Sequence, residues 1–190
     1  MDQMDKNTVE AKNQLKETEE IFFENLESDG IRVVFVGNSI TLHGVKEDIG
    51  WMNRWGMAAS AKEKDYVHLT VEKIKNIHPI LYFGVCQVAR WEMNYKNGEE
   101  MHAFYESARE YNADVIIVRL VENCKKAEYD KEVFLEQYEK LISYLNKSQK
   151  ASIILTTGFW RHPADDAIRE CAAKHITNFA SLEIWVNRTR

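Results

Sequence analysis

The sequence predicts an α/β protein built on a parallel sheet of four to five strands with helices on both faces. Two observations carry this. Four short runs rich in β-branched residues are continuously apolar, as strands buried on both faces are. Between them lie segments with apolar residues at helical spacing, so strands and helices alternate as βαβ units with right-handed crossovers.

The elements follow in order. Residues 1–29 are charged, with few apolar positions before Ile21, Phe22, Phe23 and Leu26. They read as a helical extension, exposed from about Thr8 and docked near Leu26, whose first residues fray. Ser28-Asp29-Gly30 reads as a turn into a domain over residues 30–190. The strand runs are Ile31 to Val36, Ile80 to Val85, Val115 to Leu120 and Ile153 to Thr157. A fifth is expected in Leu182 to Val186. The helical stripes are Val67-Val71-Ile74-Ile77, Met101-Phe104-Ala108-Tyr111 and Phe134-Tyr138-Leu141-Leu145. The two prolines, Pro79 and Pro163, fall at element boundaries.

Composition narrows the function classes. The chain has 190 residues, and a domain of this size buries roughly 70% of its unfolded surface. It can therefore hold a core without metals or disulfides. The 25 Lys and Arg against 30 Asp and Glu leave a net charge of −5, which gives no electrostatic footprint for nucleic acid. No apolar run is long enough to span a bilayer, and no membrane partner is expected. The polar N-terminus reads as no signal peptide, and the widely spaced Cys86, Cys124 and Cys171 fit a reducing, cytoplasmic setting. No pair of histidines has metal-ligand spacing beside a carboxylate or thiolate, so neither metal nor cofactor is expected.

Ligands of open α/β sheets bind beyond the carboxyl ends of the strands. The first strand ends in Gly37-Asn38-Ser39-Ile40-Thr41. Gly37 permits a sharp exit and leaves Ser39 at the head of a helix or turn, where free N–H groups stabilise an anion. A serine that merely caps a helix gives the same pattern. The third strand ends in Val121-Glu122-Asn123-Cys124, where an Asn amide can aim at the same point or satisfy a turn.

The combination resembles the SGNH hydrolases, the GDSL-like esterase/lipase superfamily, and a bacterial subgroup of it. Gly37 to Thr41 resembles block I, with Asn38 for the usual Asp, and Val121-x-Asn123 resembles block III, with Val121 for its Gly. Gly37 to Gly44, Gly50 to His68, Ala113 to Asn123 and Thr156 to Asp166 also resemble the subgroup. The resemblance implies a flavodoxin-like three-layer α/β/α sandwich and a serine esterase acting on a small O-acyl ester through an acyl-enzyme. Ser39 would be the nucleophile and Asn123 an oxyanion donor. Block II lacks its Gly here, and the Ala89 backbone N–H would stand in.

The family's base arrives late in the chain as Asp-x-x-His. Here His162-Pro163 follows the fourth strand and residue 159 is Phe159. Two readings stay open. Either His162 serves as base with Asp165 or Asp166 orienting it, or the catalytic segment is absent and the chain is an impaired or non-catalytic binding domain. His43 is a further candidate base, on the face of Ser39 if those residues are helical. Asp65-x-x-His68 has the right spacing in the wrong place, so Asp65 reads as a helix start. His102 and His175 read as helix-surface residues, and Cys124 as a small buried residue. Asn38, Trp160 and Arg90 are candidate substrate contacts, with the tryptophans either core or an apolar wall for an acyl group or sugar ring. A phosphate binder using the Gly37–Thr41 turn ranks last, for want of a Gly-rich run or Lys.

Overall fold

The computed structural model describes residues 21–24, 29–57, 59–175 and 178–180. Among them, six strands form one sheet: β1 (Ile21–Phe23), β2 (Ile31–Gly37), β3 (Leu81–Gln87), β4 (Val115–Arg119), β5 (Ser152–Thr156) and β6 (Asn178–Ala180). The spatial order is β1-β3-β2-β4-β5-β6. All neighbours run parallel except β1 against β3. The five parallel strands thus carry the flavodoxin-like order, which reverses at β2 and opens a crevice above it.

Among the described residues the α-helices are α1 (Tyr66–Lys75), α2 (Ala89–Met93), α3 (Glu106–Tyr111), α4 (Lys131–Leu145) and α5 (Ala164–His175). The chain moves one way from β2 to β3 and the other way thereafter. Right-handed crossovers therefore put α1 on one face and the later helices on the other. Alternation along the strands divides the core accordingly. Val34, Val36, Cys86, Ile116, Val118 and Leu155 pack with Trp91, Phe134, Tyr138 and Ile168. Val33, Phe35, Phe83, Val85 and Ile117 pack with Val67 and Val71 of α1.

Two sequence expectations are corrected. Ile21–Phe23 is an edge strand rather than the end of a helix. Three consecutive apolar residues do not distinguish the two, and tertiary fit decides. Phe23 sits opposite Gly84, where an added Cβ would lie 2.1 Å from the ring. The same ring stacks on Tyr111 at 4.7 Å. Residues 8–20 and 25–26, the rest of that expected helix, lie outside the described residues.

The stripe from Met101 to Tyr111 is not one α-helix either. Residues Tyr95–Tyr105 wind as 3-10 turns broken at Asn97, and α3 begins at Glu106. Met101 and Phe104, three apart, fit either winding. Close packing fixes the tighter one, since a Cβ on Gly98 would meet Trp91 Nε1 at 2.5 Å. The fifth parallel strand is Asn178–Ala180; the expected Leu182–Val186 lies outside the described residues.

Candidate active site

Asn38 to Thr41 leave β2 as a turn, not a helix. Thr41 N and Leu42 N both donate to Asn38 O, at 2.8 and 3.0 Å. The Asn38 side chain closes the turn, its Oδ1 accepting from Ile40 N at 3.1 Å. Gly37 is required: a Cβ there would lie 2.0 Å from Thr41 Oγ1 and 2.5 Å from Arg119 O. Ser39 is half-buried, and its carbonyl is held by Met57 N at 2.9 Å.

The centre of the site is a residue that the sequence did not announce. Glu92, on α2, is fully buried at the carboxyl end of β3. Its Oε1 accepts from Asn38 Nδ2 at 3.0 Å and from Val121 N. Its Oε2 accepts from Asn123 Nδ2. One carboxylate therefore ties together the ends of β2, β3 and β4, and with them both family-like motifs. Burial pushes the Glu92 carboxyl up to about 7, against the three N–H donors that favour its ionised form.

A second carboxylate lies alongside. Glu122 Oε2 accepts from Asn38 Nδ2 at 2.5 Å, and its Oε1 from Arg119 Nη2 at 2.5 Å and Phe159 N at 2.7 Å. Both amide hydrogens of Asn38 thus lie between carboxylates. An aspartate at position 38 would add a third acidic group to the pair, which accounts for the amide.

Val121 holds a backbone conformation better suited to glycine. Its φ is 140°, a region that L side chains rarely adopt. Glu92 holds its N–H, and Gly158 leaves room for its side chain, since a Cβ there would meet Val121 Cγ2 at 2.5 Å.

The other sequence candidates fall as follows. Asn123 is half-buried, with Glu92 engaging one end of its amide. The Ala89 N–H is already bonded to Gln87 Oε1 at 3.0 Å. Asn38 is fully buried, so a substrate cannot reach it without displacing the network. Arg90 lies over the Phe104 ring at 5.2 Å. Trp160 is 63% exposed beside Phe159, their rings 5.1 Å apart and nearly perpendicular.

His162 is buried with both ring nitrogens engaged. Nδ1 accepts from Ala164 N at 3.0 Å, so Nε2 carries the proton and donates to Cys124 O at 3.0 Å. Asp165 does not orient the ring; it accepts from the backbone N–H groups of His162 and Gly158. Asp166 pairs with Arg169. This geometry ties the β4 and β5 loops to the head of α5 and leaves no free nitrogen for a base. Burial also holds the imidazole below its ordinary range.

His43 does not share a helical face with Ser39, because the intervening residues form a turn. Its Nδ1 donates to Gly44 O at 2.6 Å, which fixes the tautomer and makes Nε2 the basic nitrogen. Asp65 caps α1 through His68 N, and its buried carboxylate also accepts a hydrogen bond from His68 Nδ1 at 2.7 Å. His102 is half-buried, stacked on Tyr144 at 4.5 Å. Cys124 is buried, and desolvation drives its thiol well above the usual range. Among the described residues, no histidine or carboxylate is hydrogen-bonded to Ser39 Oγ, and no group of three or more His, Cys, Asp or Glu could hold a metal ion. No described helix is long and apolar enough to cross a membrane.

Sequence reasoning missed Glu92, Glu122 and Arg119. Arg119 and Glu122 carried a usable signal, being charged residues at the end of β4 and within the Val121–Asn123 motif. Glu92 carried almost none, since its partners come from distant segments.

No protein-family model matches the sequence, and no curated protein does. Solved structures do match. One is an active-site mutant of a family two carbohydrate esterase from Clostridium thermocellum, with 12% identity and a TM-score of 0.50, covering 80% of this chain and 53% of that one. Another is a family two carbohydrate esterase from the same organism in complex with cellohexaose, with 14% identity and a TM-score of 0.48 over the same shares. The first likeness establishes the fold, that of the SGNH hydrolases. The chain spans about half the length of these solved chains.

Proposed function

We propose that the chain is an esterase-type hydrolase that cleaves a small O-acyl ester at Ser39. The observation that carries the reading is the Glu92 carboxylate, which clamps Asn38 beside Ser39 and the amide of Asn123 to one point. Glu92 engages one hydrogen of the Asn123 amide, and in this reading the other serves the oxyanion. Glu92 is then a positioning residue, and Asn123 the donor.

In this reading Ser39 Oγ attacks the acyl carbon while its proton passes to a general base, for which His43, four residues on and with Nδ1 occupied by Gly44 O, is the remaining candidate. The tetrahedral oxyanion takes the Ser39 N–H and the Asn123 amide, in place of the Ala89 N–H. Its collapse breaks the bond to the alcohol oxygen, which leaves with the proton from that base. Water then repeats the attack on the acyl-enzyme, releases the acid and restores Ser39. His162 holds the loops, not a proton. The exposed Phe159–Trp160 pair, tied to Glu122 through the Phe159 N–H, supplies a stacking face for the ester's alcohol part. The carbohydrate esterases of like fold make an O-acyl sugar a reasonable substrate class.

Hydrolysis of p-nitrophenyl acetate tests the reading. Wild type turns over, Ser39→Ala is inactive, and Asn123→Ala is slowed roughly a hundredfold or more. Undiminished turnover by a clean, folded Ser39→Ala preparation overturns it.

A further inference from the structure

Behind the Ser39 turn lies a cavity of 540 Å³, within the range of small-molecule pockets. Its walls include Ile40, Tyr66, Ile117, Ile154 and Phe159. It lies between α1 and the β4–β5 half of the sheet, and neither Ser39 nor Asn123 lines it.

The charged groups on this wall are unequal. Asp65 is buried and already committed to His68 and the Gly56 N–H. Lys64 is exposed at the rim. Arg119 is 3% exposed, its guanidinium lying 5.8 Å over the Tyr66 ring. One arm of the fork, Nη2, is matched by Glu122. The other, Nη1, is buried and has no hydrogen-bond partner among the described residues. A buried N–H of a permanent cation is costly to leave unmatched, and guanidinium geometry suits a carboxylate.

We propose that this cavity binds a small carboxylate with an apolar body, its anionic end on Arg119 and its body against Tyr66, Ile117 and Ile154. With Asp65 held by His68 and the Gly56 N–H, and Glu122 by Arg119, the unmatched Nη1 and the rim Lys64 favour an anionic occupant over a cationic one, and the apolar walls disfavour a free inorganic anion. Glu122 connects this site to the candidate active site, because the same carboxylate bonds Arg119 and Asn38. Binding itself requires no chemistry at Ser39.

Calorimetric titration with octanoate, against octanamide as the neutral comparator, tests the proposal. Octanoate should bind at least about tenfold tighter than octanamide, and equally well to Ser39→Ala. Arg119→Lys should lose about tenfold or more. Should that variant fail to fold, Ile154→Trp fills the cavity without touching the Arg119–Glu122 pair, and should abolish binding in a folded protein. No heat with octanoate up to millimolar concentration, equal affinity for octanamide, or unchanged binding in Ile154→Trp overturns the proposal. Since Ser39→Ala is a binder here, failure of this site and failure of the hydrolase reading are separate results.

Discussion

The side-chain amide of Asn38 donates to the buried carboxylate of Glu92 at 3.0 Å, across 54 positions of sequence. Asn38 precedes the candidate nucleophile, and Glu92 also binds the candidate oxyanion donor. The orientation of the amide is dictated by its surroundings. Two carboxylates, Glu92 and Glu122, need its N–H groups, and the Ile40 N–H needs its oxygen.

It follows that Asn38→Asp is a severe substitution although nearly isosteric. It replaces a double donor with a third acid in a water-poor site. We expect a loss of about 3–5 kcal/mol at neutral pH, comparable to breaking a buried charged network. The loss should shrink as the pH is lowered and carboxyl groups protonate. Urea midpoints at several pH values check this. An Asn38→Asp protein as stable as wild type would contradict the network.

Glu92 sets a pH dependence whose sign can be worked out. Its folded value, about 7, lies above the ordinary 4.5. The folded state therefore favours its protonated form. The stability it contributes is present below 4.5 and is lost as the pH rises toward 7, by about 3 kcal/mol in total. Buried His162, held below its ordinary 6.5, acts oppositely, its contribution being lost as the pH falls. Subtracting the stability profile of Glu92→Gln from that of wild type isolates the Glu92 share. A flat difference between pH 4.5 and 7 would contradict the assignment.

Position 121 gives an unusual order of side chains. Val121 is fully buried yet holds a φ of 140°. Alanine there loses the packing and keeps the strain, whereas glycine loses the packing and relieves about 1–3 kcal/mol. Val121→Gly should be more stable than Val121→Ala, the reverse of the usual order inside a core. Thermal unfolding of the two variants decides it; an alanine variant more stable by 1 kcal/mol or so would argue against strain at this position.

The histidines separate by role. His162→Gln should lose about 1–2 kcal/mol of stability, because two buried backbone partners lose their imidazole, while activity per folded molecule stays near wild type. His43→Ala should fold normally and lose most turnover. The reverse pattern would restore His162 as the base.

The strands were legible because burial on both faces leaves an unbroken β-branched run, as in Val33 to Val36. That Ser39 and Asn123 stand just beyond strand ends was legible, because the strands before them were. Ile21–Phe23 was not, since its conformation depends on the space that Gly84 leaves for Phe23. Glu92 was not legible at all. In sequence it is an acidic residue on a short helix, the usual mark of a surface, and only the joining of three strand ends buries it. His162 misled for the same reason: His-Pro before a helix suggests catalysis as readily as it suggests a loop tie, and only Cys124 O and Ala164 N distinguish them.

The central claim, an activated serine at the end of β2, is tested most directly by intact mass after exposure to a fluorophosphonate. The account predicts a single adduct on wild type and none on Ser39→Ala. A well-folded wild type that takes up no adduct would contradict it and leave the fold without esterase chemistry at Ser39.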